Sequence, residues 1–132
     1  MIDARVRAAL RGQLLTVVNG DLLAEQNTHF DPPDTPWFRE TLLPGTPELV
    51  EIMRDGRART HGVYQVDAFV PAGQGTPVAD QLAEDVAEAF PRGAAFIEDG
   101  LTVRIRRSYT RPSRSSGDWY MTPVVIDWWA DS

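Results

Sequence analysis

The chain has 132 residues, 42% of them hydrophobic, and a net charge of −6 from 19 acidic and 13 basic side chains. That is the size of one domain with one core, and the acidic balance excludes a generic nucleic-acid coat. The absence of Cys excludes disulfide scaffolds, thiol catalysis and Cys-ligated zinc.

No apolar run approaches the roughly 20 residues of a membrane span. The amphipathic start MIDARVRAALRGQLL carries charge throughout and does not read as a secretory signal. A soluble intracellular protein is therefore the default expectation. All 13 bases are Arg, which fits both an interface preference for Arg and a GC-rich codon bias.

The first segment reads as a helix, with Asp3 as N-cap and Val6, Leu10 and Leu14 recurring every four residues. Asn19-Gly20 marks a turn, and Leu22 to Gln26 a short strand. Asn27 to Pro36, with its prolines, is a long loop. Trp37 to Leu43 has strand character, closed by Pro44-Gly45, and Glu48 to Met53 is a further strand. Asp55-Gly56 is a hairpin signal. It opens a long strand, Arg57 to Val70, with Tyr64, Val66, Ala68 and Val70 on one face and Gln65 and Asp67 on the other.

Thr76 is placed to cap a second helix with Pro77 at its first position. Val78, Leu82, Val86 and Phe90 form its expected apolar ridge, widened by Ala79, Ala83 and Ala87. Asp80, Glu84, Asp85 and Glu88 lie on or beside the opposite side. Pro91 and Gly93 end the helix. Ala95 to Ile97 is a short strand, Asp99-Gly100 a second hairpin turn, and Leu101, Val103 and Ile105 alternate as the next strand. Ser108 to Asp118 lacks periodicity and reads as a flexible loop at a hairpin tip. Tyr120 to Ala130 is the last strand, with Val124, Ile126 and Trp128 on one face.

This order predicts a single α+β domain over residues 1–132: a largely antiparallel or mixed β-sheet with two α-helices packed on one face.

The search for chemistry yields little. His29 near Asp31 and Asp34 could be imagined as a metal cluster, but these Asp residues flank prolines as routine turn formers, and a full ligand set is missing. His61 reads as a surface strand residue. Gly73-Gln74-Gly75 ahead of a helix lacks the Lys-Ser/Thr ending of a Walker A loop and the third Gly of a dinucleotide fingerprint. Trp119, Trp128 and Trp129 are expected to divide between the core and a subunit contact, with a single-stranded nucleic-acid platform beside Arg104 to Arg114 as an alternative. The reading is therefore of a non-enzyme with no catalytic residue, no metal and no cofactor, and a small metal-dependent enzyme is kept as an alternative.

Charge distribution is more informative. Residues 101–117 hold five Arg (104, 106, 107, 111, 114) and no acid, a local charge of +5. Residues 80–99 hold six acids and one Arg, a local charge of −5. A basic hairpin on one copy (Arg104, Arg106, Arg107, Arg111, Arg114) facing an acidic helix on the next (Asp80, Glu84, Asp85, Glu88) is a heterologous contact, and such contacts make rings when they close.

The stretch Gly62-Val-Tyr-Gln-Val-Asp-Ala-Phe-Val-Pro-Ala-Gly-Gln-Gly75, the helix after it, the turn at Asp99-Gly100 and the closing Asp118-Trp-Tyr-Met-Thr-Pro-Val-Val-Ile-Asp-Trp128 follow one another in a telling order. This order resembles the tail terminator proteins of long-tailed phages and prophages. The resemblance implies an α+β subunit of a homo-oligomeric, hexameric ring that caps the tail tube and stops its polymerisation. It implies the tail tube protein and a head–tail connector protein as partners, with another head–tail joining or tail-completion subunit as the alternative. It implies residence in the virion tail, and in the host cytoplasm during assembly, with DNA only as non-specific cargo through the lumen and no membrane partner.

Overall fold

In the computed structural model, which describes residues 2–43, 50–52, 54, 56, 58–73 and 75–131, the chain runs helix, four strands, helix, four strands. Helix α1 (Ile2–Leu14) buries its stripe Val6, Leu10 and Leu14 completely. Asp3 lies inside this helix rather than ahead of it, so it is not the cap. A 3-10 turn (Gly20–Leu22), closed by the Asn19 side chain accepting from the Asp21 N–H, leads into β1 (Leu23–Ala24). This is shorter than the strand expected over 22–26. β1 pairs in parallel with β2 (Trp37–Leu43), and that pairing makes an otherwise antiparallel sheet mixed.

β3 (Val50–Ile52) and β2 both pair antiparallel with β4 (Ala58–Pro71). The expected breaks at Pro44-Gly45 and Asp55, and the outer residues Glu48, Leu49, Met53 and Arg57, lie outside the described residues. Helix α2 (Thr76–Glu88) follows, with Gly75 rather than Thr76 at the N-cap and no side-chain cap bond. β5 (Ala95–Glu98) turns at Asp99-Gly100 into β6 (Leu101–Thr110). Both turn residues have positive φ (47° and 79°), as a type I′ turn demands.

β7 (Arg114–Ser116) and β8 (Trp119–Asp131) complete the sheet, whose order is β1-β2-β4-β8-β6-β5. The segment expected as a loop from Ser108 to Asp118 is mostly strand. β6 runs on to Thr110, Arg111 N–H donates to the Pro123 carbonyl, and β7 pairs with the start of β8. Its side chains are polar because the strand runs past the core, so hydrophobic alternation could not report it. The Ser108 hydroxyl lies within hydrogen-bond distance of the Ala87 and Phe90 carbonyls, and Ser113 bonds Thr122.

Residues directly opposite in antiparallel pairs share a face, so the register sorts the sheet. Leu42, Tyr64, Ile126 and Ser108 share one face, as do Trp128, Gly62 and Ile105. Both helices cover this face, and Val6, Leu10, Ala83, Val86 and Phe90 join the sheet residues in one cluster. The α2 ridge is rotated from the expected one. Ala79, Ala83, Val86 and Phe90 are buried, whereas Val78 is 43% exposed.

Gly62 is opposite Trp128, and a Cβ there would lie 2.4 Å from the indole Cζ2. The glycine therefore makes the room that the fully buried Trp128 occupies. On the other face, the Trp37 end is closed over. There Trp37 stacks on Phe69 at 4.0 Å, with Phe30, Trp119, Met121 and Ala24 around them.

Candidate assembly surfaces

Within the helix-covered core sits one buried acid. Glu40 follows Phe38 and precedes Leu42 on the inward side of β2 and is 1% exposed. Tyr64 Oη donates to its Oε2, and Arg11 Nε from α1 donates to its Oε1 at 2.7 Å. Arg11 also reaches Glu25 at 3.5 Å. The hydrogen bond to Glu40 raises the Arg11 pKa, and burial, helped by the Glu40 charge, pushes the Tyr64 phenol far above its ordinary value. The cluster ties α1 to β2 and β4. Sequence reasoning missed Glu40, although its place in phase with Phe38 and Leu42 is a signal that marks it as inward-facing.

The helix-free face is built differently. Its central residues come from the odd positions of β4 and β8 and their partners in β2 and β6. Cross-strand pairs run along it. Arg39 donates to Asp67 at 2.9 Å, Arg59 to Asp131 at 2.7 Å, and Arg107 to Asp127 at 2.6 Å. The Asp side chains lie low, 2%, 17% and 18% exposed, while those of their Arg partners are 46%, 28% and 68% exposed. The bonds to Asp127 raise the pKa of Arg107. Guanidiniums also lie over rings: Arg59 over Trp129 at 4.0 Å, Arg104 over Trp129 at 5.7 Å, Arg107 over Tyr109 at 4.9 Å and Arg39 over Phe69 at 5.0 Å. The outer layer of this face is therefore cationic.

The five hairpin arginines divide. Arg104 and Arg107 stand on the helix-free face, and Arg106 falls at a register shift between Ile105 and Arg107 and is exposed. Arg114, opposite Met121, is on the same face further along, and Arg111 lines an open groove with Asp80, Ala83 and Glu84 of its own α2. Asp80, Glu84, Asp85 and Glu88 are all exposed, and among the described residues none of them forms an ion pair. Charge counting along the hairpin found Arg104 and Arg107 but missed Arg39 and Arg59. They share the alternation that puts Asp67, Asp127, Trp129 and Asp131 on one face.

His29 touches Asp31 at 3.0 Å, with both side chains at least 85% exposed. Among the described residues no three His, Asp or Glu gather in a metal-holding arrangement, and no helix is long and apolar enough to cross a membrane. Trp128 is core, Trp129 lies under arginines on the helix-free face, and Trp119 is half-buried in the smaller cluster.

A family model described as phage tail terminator protein matches residues 5–128. Two solved structures share the fold. One superposes with a TM-score of 0.72 at 24% identity, over 99% of this chain and 93% of the other. The second belongs to the virion of a native gene transfer agent particle, with a TM-score of 0.66 at 13% identity, over 98% of this chain and 97% of the other. No curated protein matches the sequence.

Proposed function

The chain belongs to the phage tail terminator family, whose members are structural proteins of the virion tail, and from that premise we propose that it is the repeating subunit of a closed ring, of six copies, that caps the tail tube. In this reading the ring ends polymerisation of the tube and offers its other side to the head–tail connector. The tail tube protein and the connector protein are its partners, DNA passes through the lumen without specific contacts, and the subunit resides in the host cytoplasm until it is built into the tail.

The observation that carries the ring is the separation of exposed charge. The α2 carboxylates Asp80, Glu84, Asp85 and Glu88 face solvent without an ion partner among the described residues, while Arg104, Arg106, Arg107, Arg111 and Arg114 stand on the hairpin. A head-to-tail contact needs two complementary surfaces on different sides of the subunit, and repetition of such a contact makes a ring when its rotation closes. The helix layer and the bare sheet face meet that requirement.

Native mass and negative-stain images of the purified protein test the reading. A ring of about six copies is expected. A strictly monomeric protein at every concentration, unable to end growth of tail tubes in a reconstituted assembly, would overturn it.

A further inference from the structure

We propose that the end of the helix-free face around Trp129 is the receiving surface for helix α2 of the next copy. This rests on the ring reading and assigns its contact to residues outside the hairpin as well as within it.

Arg104 and Arg107 on β6 and Arg59 on β4 flank Trp129, which stands on β8 between those strands. The two flanking strands are about 10 Å apart, twice the inter-strand spacing. Along the strands, the arginines span the levels of β8 from Asp127 to Asp131, about 13 Å at the rise of a strand. Asp80, Glu84 and Glu88 stand on one ridge of α2 at four-residue steps, spanning about 12 Å at the rise of a helix. An acidic ridge and a cationic plate thus have matched lengths.

The plate is preorganised. Arg59 is held by Asp131 and lies on Trp129, and Arg107 is held by Asp127 and lies on Tyr109. Less side-chain freedom is then lost on docking. Arg and Trp at the centre of a contact are also the residue types that dominate binding energy.

Arg111 is not part of this surface, because it stands at the Pro123 level of β8, away from Trp129. A second copy is favoured over nucleic acid as the occupant. The complementary acidic ridge is present in equal number on every chain, and the net charge of −6 opposes the approach of a polyanion.

The test uses the full chain, with circular dichroism as the control for folding and native mass as the readout. Arg104→Glu should weaken assembly at least tenfold, and so should the double change Glu84→Arg with Glu88→Arg. All three changes in one chain should restore rings. Mixing the Arg104→Glu protein with the Glu84→Arg, Glu88→Arg protein makes every contact between unlike copies complementary, so the mixture should assemble into rings in which the two variants alternate. Assembly of wild-type protein should weaken as salt rises.

Rings that form unchanged in the Arg104→Glu and Glu84→Arg, Glu88→Arg variants would overturn this surface while leaving the ring reading in place. A wild-type protein that never assembles overturns both. An Arg104→Glu variant with unchanged native mass but lost binding to a duplex oligonucleotide would assign the face to nucleic acid and overturn the proposal.

Discussion

The two faces of the sheet solve opposite problems with the same strands. The face under the helices is apolar and closed, with a single buried acid satisfied by Tyr64 and Arg11. The bare face is laced by Arg–Asp pairs whose cations lie outermost. Buried apolar area stabilises a fold strongly, whereas partly exposed ion pairs contribute little. The difference teaches that folding energy is concentrated on the helix-covered face, with the Trp37 cluster as the smaller share on the other.

That division can be broken at its strong side first. Trp128→Ala empties a fully buried indole site and should cost about 4 kcal/mol of unfolding free energy in a denaturant titration. Glu40→Ala leaves the buried Tyr64 hydroxyl without its acceptor and Arg11 without its main partner, a loss of about 3 kcal/mol. Gly62→Ala forces a methyl into Trp128 and should cost about 2 kcal/mol, with a shift in tryptophan fluorescence as a second readout.

The pH dependence sharpens the comparison further. The folded state holds Tyr64 protonated far above the usual range, whereas the unfolded chain releases that proton near pH 10. The native state then binds more protons, so stability is intact below about pH 10 and falls as pH rises beyond it. Tyr64→Phe should flatten that alkaline decline relative to wild type. A variant with the same slope would show that the phenol does not carry it.

The smallest effect belongs to the bare face. Arg107→Ala should leave the unfolding midpoint unchanged within error, because its pair with Asp127 is exposed. A large loss of stability there would erase the division between the faces.

Much of this was legible from the chain. Period-2 alternation in β4 and β8 assigned their residues to the correct faces, because every second side chain must enter one core. The i, i+4 stripe of α1 was equally plain. The α2 ridge was read correctly at Val86 and Phe90, whereas at its start Ala79 and Ala83 are buried and Val78 is exposed, because Val78 and Ala79 both satisfy helical spacing and only packing chooses between them. The extension of β6 and β7 was invisible, because those strands bury little and carry polar side chains. The arginine plate was half-legible: charge counting follows neighbours in sequence, whereas Arg59 and Arg104 meet on Trp129 across 45 residues.

The central strand β8 is the last of the described strands, yet it pairs with β4 at thirteen positions and with β6 on its other side. Until residues 119–131 have been synthesised, β4 and β6 have no common neighbour, and each presents an open edge. Folding is therefore a late event, dominated by contacts distant in sequence and correspondingly slow. A nascent chain stopped short of Trp119 lacks both Trp128 in the core and Trp129 at the arginine plate. The topology thus makes the centre of the sheet depend on a strand that follows both of its neighbours in the chain.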